Sequence, residues 1–148
     1  VNNVLWVFNP HDLSFPPFAW NHYLNYYPGD EYVDIIGLTG YNTGTYFSGE
    51  TWREFSEIYP NLYNEYDKLF KQPFMITEFG SNSVGGNKVA WINGMFAEIS
   101  QLEKIKIAIW WNGIDFDSQG KPGRIYRLDE SSEVINAFKE DFEKTKDK

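Results

Sequence analysis

Phe74-Met75-Ile76-Thr77-Glu78-Phe79-Gly80-Ser81 sets a short, mostly apolar run in front of a carboxylate, an aromatic ring and a glycine. Such a run reads as a β-strand over 74–77 that delivers Glu78 to its carboxyl end. Three other runs share the pattern: Val4-Leu5-Trp6-Val7-Phe8, Val33-Asp34-Ile35-Ile36-Gly37-Leu38 and Ile105-Lys106-Ile107-Ala108-Ile109-Trp110. Near-continuous apolar runs of this length suit strands covered on both faces, as in a parallel sheet.

Helical spacing fills the gaps between them. Trp91, Met95, Ile99 and Leu102 mark one amphipathic helix, and Val134, Ile135, Phe138 and Phe142 another. The second has Ser131 or Ser132 to cap it, Glu133 in its first turn, and Lys144, Lys146 and Lys148 at its end, in accord with the helix dipole. Residues 51–70 also read as helical, with Pro60 expected to break or kink the run. A short helix is expected over Trp20 to Tyr27, stopped by Pro28-Gly29.

Strand starts at Val4, Val33, Phe74 and Ile105 are about 30 to 40 residues apart, the length of one βα unit. The chain therefore reads as α/β, with four βα units in one piece over 1–148 and no linker. A (β/α)8 barrel takes about 250 residues, so four units amount to half of one, with an open parallel sheet as the alternative.

Composition narrows the function. A formal net charge of −8 without a basic stripe disfavours nucleic acid and anionic membrane surfaces as partners. No apolar run approaches the length of a membrane span, and the absence of cysteine excludes disulfides and thiolate metal sites. A start at Val1 instead of Met suggests a processed or truncated product. Aromatic residues make up 19% of the chain, enough to line sugar-stacking surfaces even when most of them pack the core.

In parallel α/β folds the loops at the strand carboxyl ends build the site. Here those ends read Phe8-Asn9-Pro10-His11-Asp12, Thr39-Gly40-Tyr41-Asn42, Glu78-Phe79-Gly80-Ser81 and Trp110-Trp111-Asn112-Gly113. Glu78 is the leading catalytic candidate, sharing a face with Phe74 and Ile76 by period-2 alternation. Tyr41, on the same rim, can donate a hydrogen bond that orients a carboxylate. Asn9, His11 and Trp111 are further candidates for contacting a sugar.

Taken together, Tyr32-Val33-Asp34-Ile35-Ile36-Gly37, Gly40-Tyr41, Thr77-Glu78-Phe79-Gly80 and Ile109-Trp110-Trp111-Asn112 resemble the second half of glycoside hydrolase family 26, from about Val4 to Asp129. The resemblance implies a retaining endo-β-glycosidase on a (β/α)8 barrel, with the strands of this chain standing as strands 5 to 8. It implies Glu78 as nucleophile, Tyr41 as the tyrosine that contacts it, and Trp110 as the tryptophan lining the scissile-sugar subsite. The family is similar to other retaining glycosidases on (β/α)8 barrels, and its members are mostly endo-β-1,4-mannanases, with some mixed-linkage β-1,3-1,4-glucanases and β-1,3-xylanases. The resemblance therefore implies a secreted enzyme acting on plant cell-wall β-mannan or mixed-linkage β-1,3-1,4-glucan without cofactor or metal. Thr39 stands where many mannanases have an aspartate, which favours glucan.

The family's acid/base glutamate follows a histidine on the fourth strand. His11 and His22 are the only histidines here, and neither precedes a glutamate. That residue is expected on a missing N-terminal half barrel. A retaining mechanism needs both carboxylates. Asp12, Asp115 and Asp117 are the possible substitutes, each reading more simply as a loop or capping carboxylate. A degenerate half barrel that binds polysaccharide without cutting it is the alternative function. A sugar-binding β-sandwich fits poorly with the strand–helix alternation. Asp115 to Gly120 resembles the opening of a calcium loop, but Tyr126 stands where a bidentate glutamate is required, and an acidic turn fits better. Gly85-Gly86 could cradle an anion or serve as a hinge into the next helix.

Overall fold

A computed structural model describes residues 3–145. Four parallel strands lie in chain order: β1 (Val7–Phe8), β2 (Ile35–Asn42), β3 (Phe74–Ser81) and β4 (Ile105–Trp110). Helices α1 (Phe55–Asp67), α2 (Lys88–Ile99) and α3 (Ser132–Thr145) connect or follow them, and a two-stranded antiparallel ribbon, β5 (Ile114–Phe116) and β6 (Pro122–Ile125), follows β4. The ribbon was not evident from the sequence.

The core lies on one face of the sheet. Ile36 and Leu38 of β2 and Phe74, Ile76 and Phe79 of β3 are buried beside Phe55, Tyr59 and Tyr66 of α1 and Trp91, Ile92 and Met95 of α2. The other face is open, contrary to strands covered on both sides: Val7 is 39% exposed, Ile107 44% and Ile109 47%.

β2 and β3 run past their expected ends because the rim residues are themselves paired, Tyr41 with Gly80 and Asn42 with Ser81. β1 is shorter than expected. It has a single neighbour, and Val4, Leu5 and Trp6 project into solvent, although the Trp6 carbonyl still accepts from Asp34 and Ile35.

Pro60 does not break α1, which is continuous through it. Phe55, Ile58, Tyr59, Leu62 and Tyr66 form one buried stripe, and a capping box between Glu54 and Glu57 fixes the start. That burial outweighs one lost backbone bond on the solvent side. The expected helix over Trp20 to Tyr27 is instead two 3-10 turns, Ala19–Asn21 and Tyr23–Tyr26, parted at His22, whose Nδ1 accepts from the Leu24 amide. The Ser131 hydroxyl caps α3, and Lys144 in its last turn pairs with Asp141. Lys146 and Lys148 lie outside the described residues.

Tyr59 is fully buried and donates 2.6 Å to the Gly40 carbonyl, tying α1 to β2. Tyr59→Phe should cost about 1 kcal/mol and Tyr59→Ala about 3 to 5 kcal/mol. Urea unfolding of the two variants checks the order.

Candidate active site

The path to the site begins with one residue out of register. Leu38 pairs with Ile76, but Thr39 pairs with Glu78, so Thr77 is an extra residue on β3. The bulge is pinned on the open face, where Asn9 Oδ1 accepts from Thr39 Oγ1 at 2.9 Å and Thr77 Oγ1 at 2.7 Å. Gly37 makes room for this, since a Cβ there would lie 2.5 Å from Asn9 Oδ1. The shift corrects the expected face of Glu78: Phe74, Ile76 and Phe79 point into the helix-covered core, whereas Glu78 is exposed on the opposite side.

There Glu78 accepts a hydrogen bond from the Tyr41 hydroxyl. Burial, and then the charge and hydrogen bond of Glu78, push the Tyr41 phenol far above its ordinary range, so it stays a donor. Both side chains line a cleft of about 490 Å³ with His11, Thr43, Glu50, Arg53, Trp111, Asp115, Arg124 and Tyr126 among its walls.

Trp111, not Trp110, is the tryptophan of this cleft. Trp111 lies 6.0 Å from the Tyr41 ring and 5.3 Å from that of Tyr126. Trp110 faces the other way, against Phe79, Trp91 and Phe138, with its indole N–H on the Tyr126 carbonyl at 2.8 Å. The expectation that Trp110 lines the subsite is corrected accordingly, because its neighbour on β3 is core-facing Phe79. Asn9 is held beneath the cleft by its two threonine bonds and borders a neighbouring cleft of about 380 Å³. Thr39 is likewise buried in that network and does not line the Glu78 cleft.

The substitute acids are occupied. Asp12 lies 2.6 Å from His11 Nδ1 and 2.8 Å from Arg53 Nη1. Burial pushes its carboxyl up, but these bonds prevail and hold it below the usual carboxylate range. Asp115 binds Arg124 Nη1 at 2.8 Å. Asp117 accepts the Gln119 and Lys121 amides at 2.8 Å each, within the turn between β5 and β6.

Several site residues escaped the sequence reading. Arg124 of β6 bridges Asp115 and Glu50, and its guanidinium lies 4.8 Å from the Phe47 ring. This clamps the loop after β2 onto the β5–β6 ribbon, with the Tyr46 hydroxyl on the Pro122 carbonyl as a second tie. Glu50 is pushed up by burial yet held below its ordinary range by Arg124 and the Phe47 amide. Lys88 is buried, its ammonium shared by the Arg127 and Ile125 carbonyls and Glu130, with burial pulling its pKa down. Gly85-Gly86 is a loop packed on Thr45 and Trp52, and α2 itself starts from an Asn87 cap.

The model of glycosyl hydrolase family 26 matches residues 1–120. The chain belongs to this family. It is also 34% identical over 140 residues to Endoglucanase H of Acetivibrio thermocellus, an alignment covering 93% of the chain and 14% of that protein. The chain thus spans about a seventh of the length of this relative. Among the described residues no helix is long and apolar enough to cross a membrane.

Trp110→Ala should lower the unfolding free energy by about 3 kcal/mol or more, as for a core aromatic, and Trp111→Ala by clearly less. Urea midpoints of the two variants decide, and the reverse order would return Trp110 to the cleft.

Proposed function

We propose that this chain is the nucleophile-bearing half of a retaining endo-β-glycoside hydrolase. The observation that carries the reading is the exposed Glu78 carboxylate, held by the Tyr41 hydroxyl in an aromatic-walled cleft of a family 26 chain. In the proposed reaction Glu78 attacks the anomeric carbon to form a glycosyl ester, which water then hydrolyses. Tyr41 orients the attacking oxygen, and Trp111, backed by the buried Tyr126, offers a ring face to the sugar.

Proton donation is assigned elsewhere. Of the other carboxylates near the cleft, Glu50 and Asp115 are bound to Arg124 and Asp12 to His11 and Arg53. None is placed to hold a proton for a leaving sugar. The bare open face, with Val7, Ile107 and Ile109 exposed between the unpaired edges of β1 and β4, supports a missing N-terminal half barrel that would bring the acid. In that frame the four strands are strands 5 to 8 of a (β/α)8 catalytic domain.

The substrate we favour is a plant cell-wall β-glycan, mixed-linkage β-1,3-1,4-glucan ahead of β-mannan. The glucan preference rests on the resemblance to Endoglucanase H and not on Thr39, which is outside the cleft. A polymer of that size cannot enter a cell, so the enzyme is placed outside it. The engaged carboxylates also fit a second reading, a degenerate half barrel that binds polysaccharide without cleaving it.

Activated substrates separate the two. Incubation with a 2-fluoro dinitrophenyl glycoside, whose leaving group needs little protonation, should add one sugar mass to Glu78 in the wild type and none in Glu78→Ala. No adduct on a folded wild-type chain would favour the degenerate reading. In the complete barrel, Glu78→Ala should lower the rate by several orders of magnitude, and retention of a sizeable fraction of the rate would refute the assignment. The chain alone is expected to self-associate through its open face and edges and to leave polymeric glucan and mannan uncut, as sedimentation and reducing-sugar assays would show.

A further inference from the structure

His11 lines the same cleft as Glu78 and is fixed from behind. Its Nδ1 lies 2.6 Å from Asp12 Oδ1, while the other Asp12 oxygen is 2.8 Å from Arg53 Nη1, which anchors a carboxylate whose side chain is only 6% exposed. The Leu13 amide also approaches Nδ1, at 3.3 Å. Nδ1 cannot both donate to the carboxylate and accept from that amide. Asp12 Oδ1 is buried and has no hydrogen-bond partner of good angle, so the 2.6 Å approach of Nδ1 is an ion-pair contact whose charge favours a hydrogen on Nδ1.

That assignment leaves Nε2 free. None of the hydrogen bonds among the described residues uses it, and the side chain is 54% exposed. Arg53 is itself fixed, donating to the Tyr41 carbonyl at 2.7 Å, so the relay is tied to the strand that carries the tyrosine of Glu78.

We propose that His11 is a sugar-binding residue of the Glu78 cleft, offering Nε2 to a substrate hydroxyl, with Asp12 and Arg53 as its positioning residues. The proposal rests on the glycosidase reading of the cleft. The groups facing His11 are Asp12 on its own loop, Arg53 before α1, Glu78 on β3 and Tyr41 on β2. The Asp12 hydrogen bond raises the imidazole pKa, opposed by burial and by Arg53 and aided by the Asp12 and Glu78 charges. Protonated, Nε2 donates to a hydroxyl oxygen; deprotonated, it can only accept. The donating mode is therefore full below the raised pKa and is lost as pH rises through it.

Nitrogen-15 imidazole spectra of the 148-residue chain, with and without cellotetraose or mannotetraose, test this directly. Expected are a neutral Nδ1–H tautomer, a His11 pKa that climbs when sugar binds, and an affinity that falls with rising pH. His11→Ala should weaken binding about tenfold, and His11→Gln should abolish the pH dependence. Asp12→Asn should lower the His11 pKa without any sugar present, which a purely structural aspartate would not do. If the wild-type chain binds neither sugar, the cleft reading and this inference fall together. Binding that is indifferent to His11→Ala, with an imidazole pKa unmoved by sugar, overturns this inference alone.

Discussion

The extra residue at Thr77 is the constraint on which the site depends. Strict alternation from Ile76 would send Glu78 to the same face, under α1 and α2, among Phe55, Tyr59 and Trp91. A carboxylate there would be stripped of water with no partner, at a cost of several kcal/mol or neutralisation. The bulge hands that place to Phe79 and turns Glu78 outward. β4 accommodates the same extra residue, since Ile76 pairs with Ala108 and Phe79 with Trp110. The bulge on β3 turns Glu78 toward Tyr41, and a second register shift, between the Phe74–Ile105 and Met75–Ile107 pairs, sets the face of the half-buried Trp110, which packs against the core.

Polar groups on the open face hold the irregularity in place. The threonine hydroxyls of two neighbouring strands converge on one asparagine oxygen from a third. Above this layer Gly80 lets Tyr126 come within packing distance, 3.1 Å from where a Cβ would stand. Tyr126 in turn backs Tyr41 at 5.0 Å. The cleft wall is therefore assembled from β2, β3 and the ribbon after β4, and the Arg124 clamp keeps the ribbon from swinging away.

Much of this was legible in the sequence. The four strands, α2 and α3 follow from apolar periodicity, and the Tyr41–Glu78 pair follows from two strand ends on one rim. What failed to show has a common cause in non-local geometry. A bulge leaves no mark in a period-2 pattern, so alternation puts Glu78 on the wrong face, whereas the placing of Trp110 at the subsite follows from the resemblance and not from its spacing. Arg124 and Glu50 are 74 residues apart and lie in segments without a motif. Pro60 looked like a breaker because propensity is local, whereas the buried stripe that overrides it depends on tertiary contacts.

The charge pattern of the cleft gives Glu78 its distinct character. Asp12, Glu50 and Asp115 each sit within ion-pair distance of an arginine, whereas among the described residues Glu78 has no such cation and takes its hydrogen bond from a neutral phenol. A guanidinium would orient a carboxylate but also draw off the electron density that the proposed attack on an anomeric carbon requires. A tyrosine whose proton is held tightly orients without neutralising. The three arginine-bound carboxylates stabilise loops, and the fourth is left chemically available at the one position that the bulge turns toward the open side of the sheet.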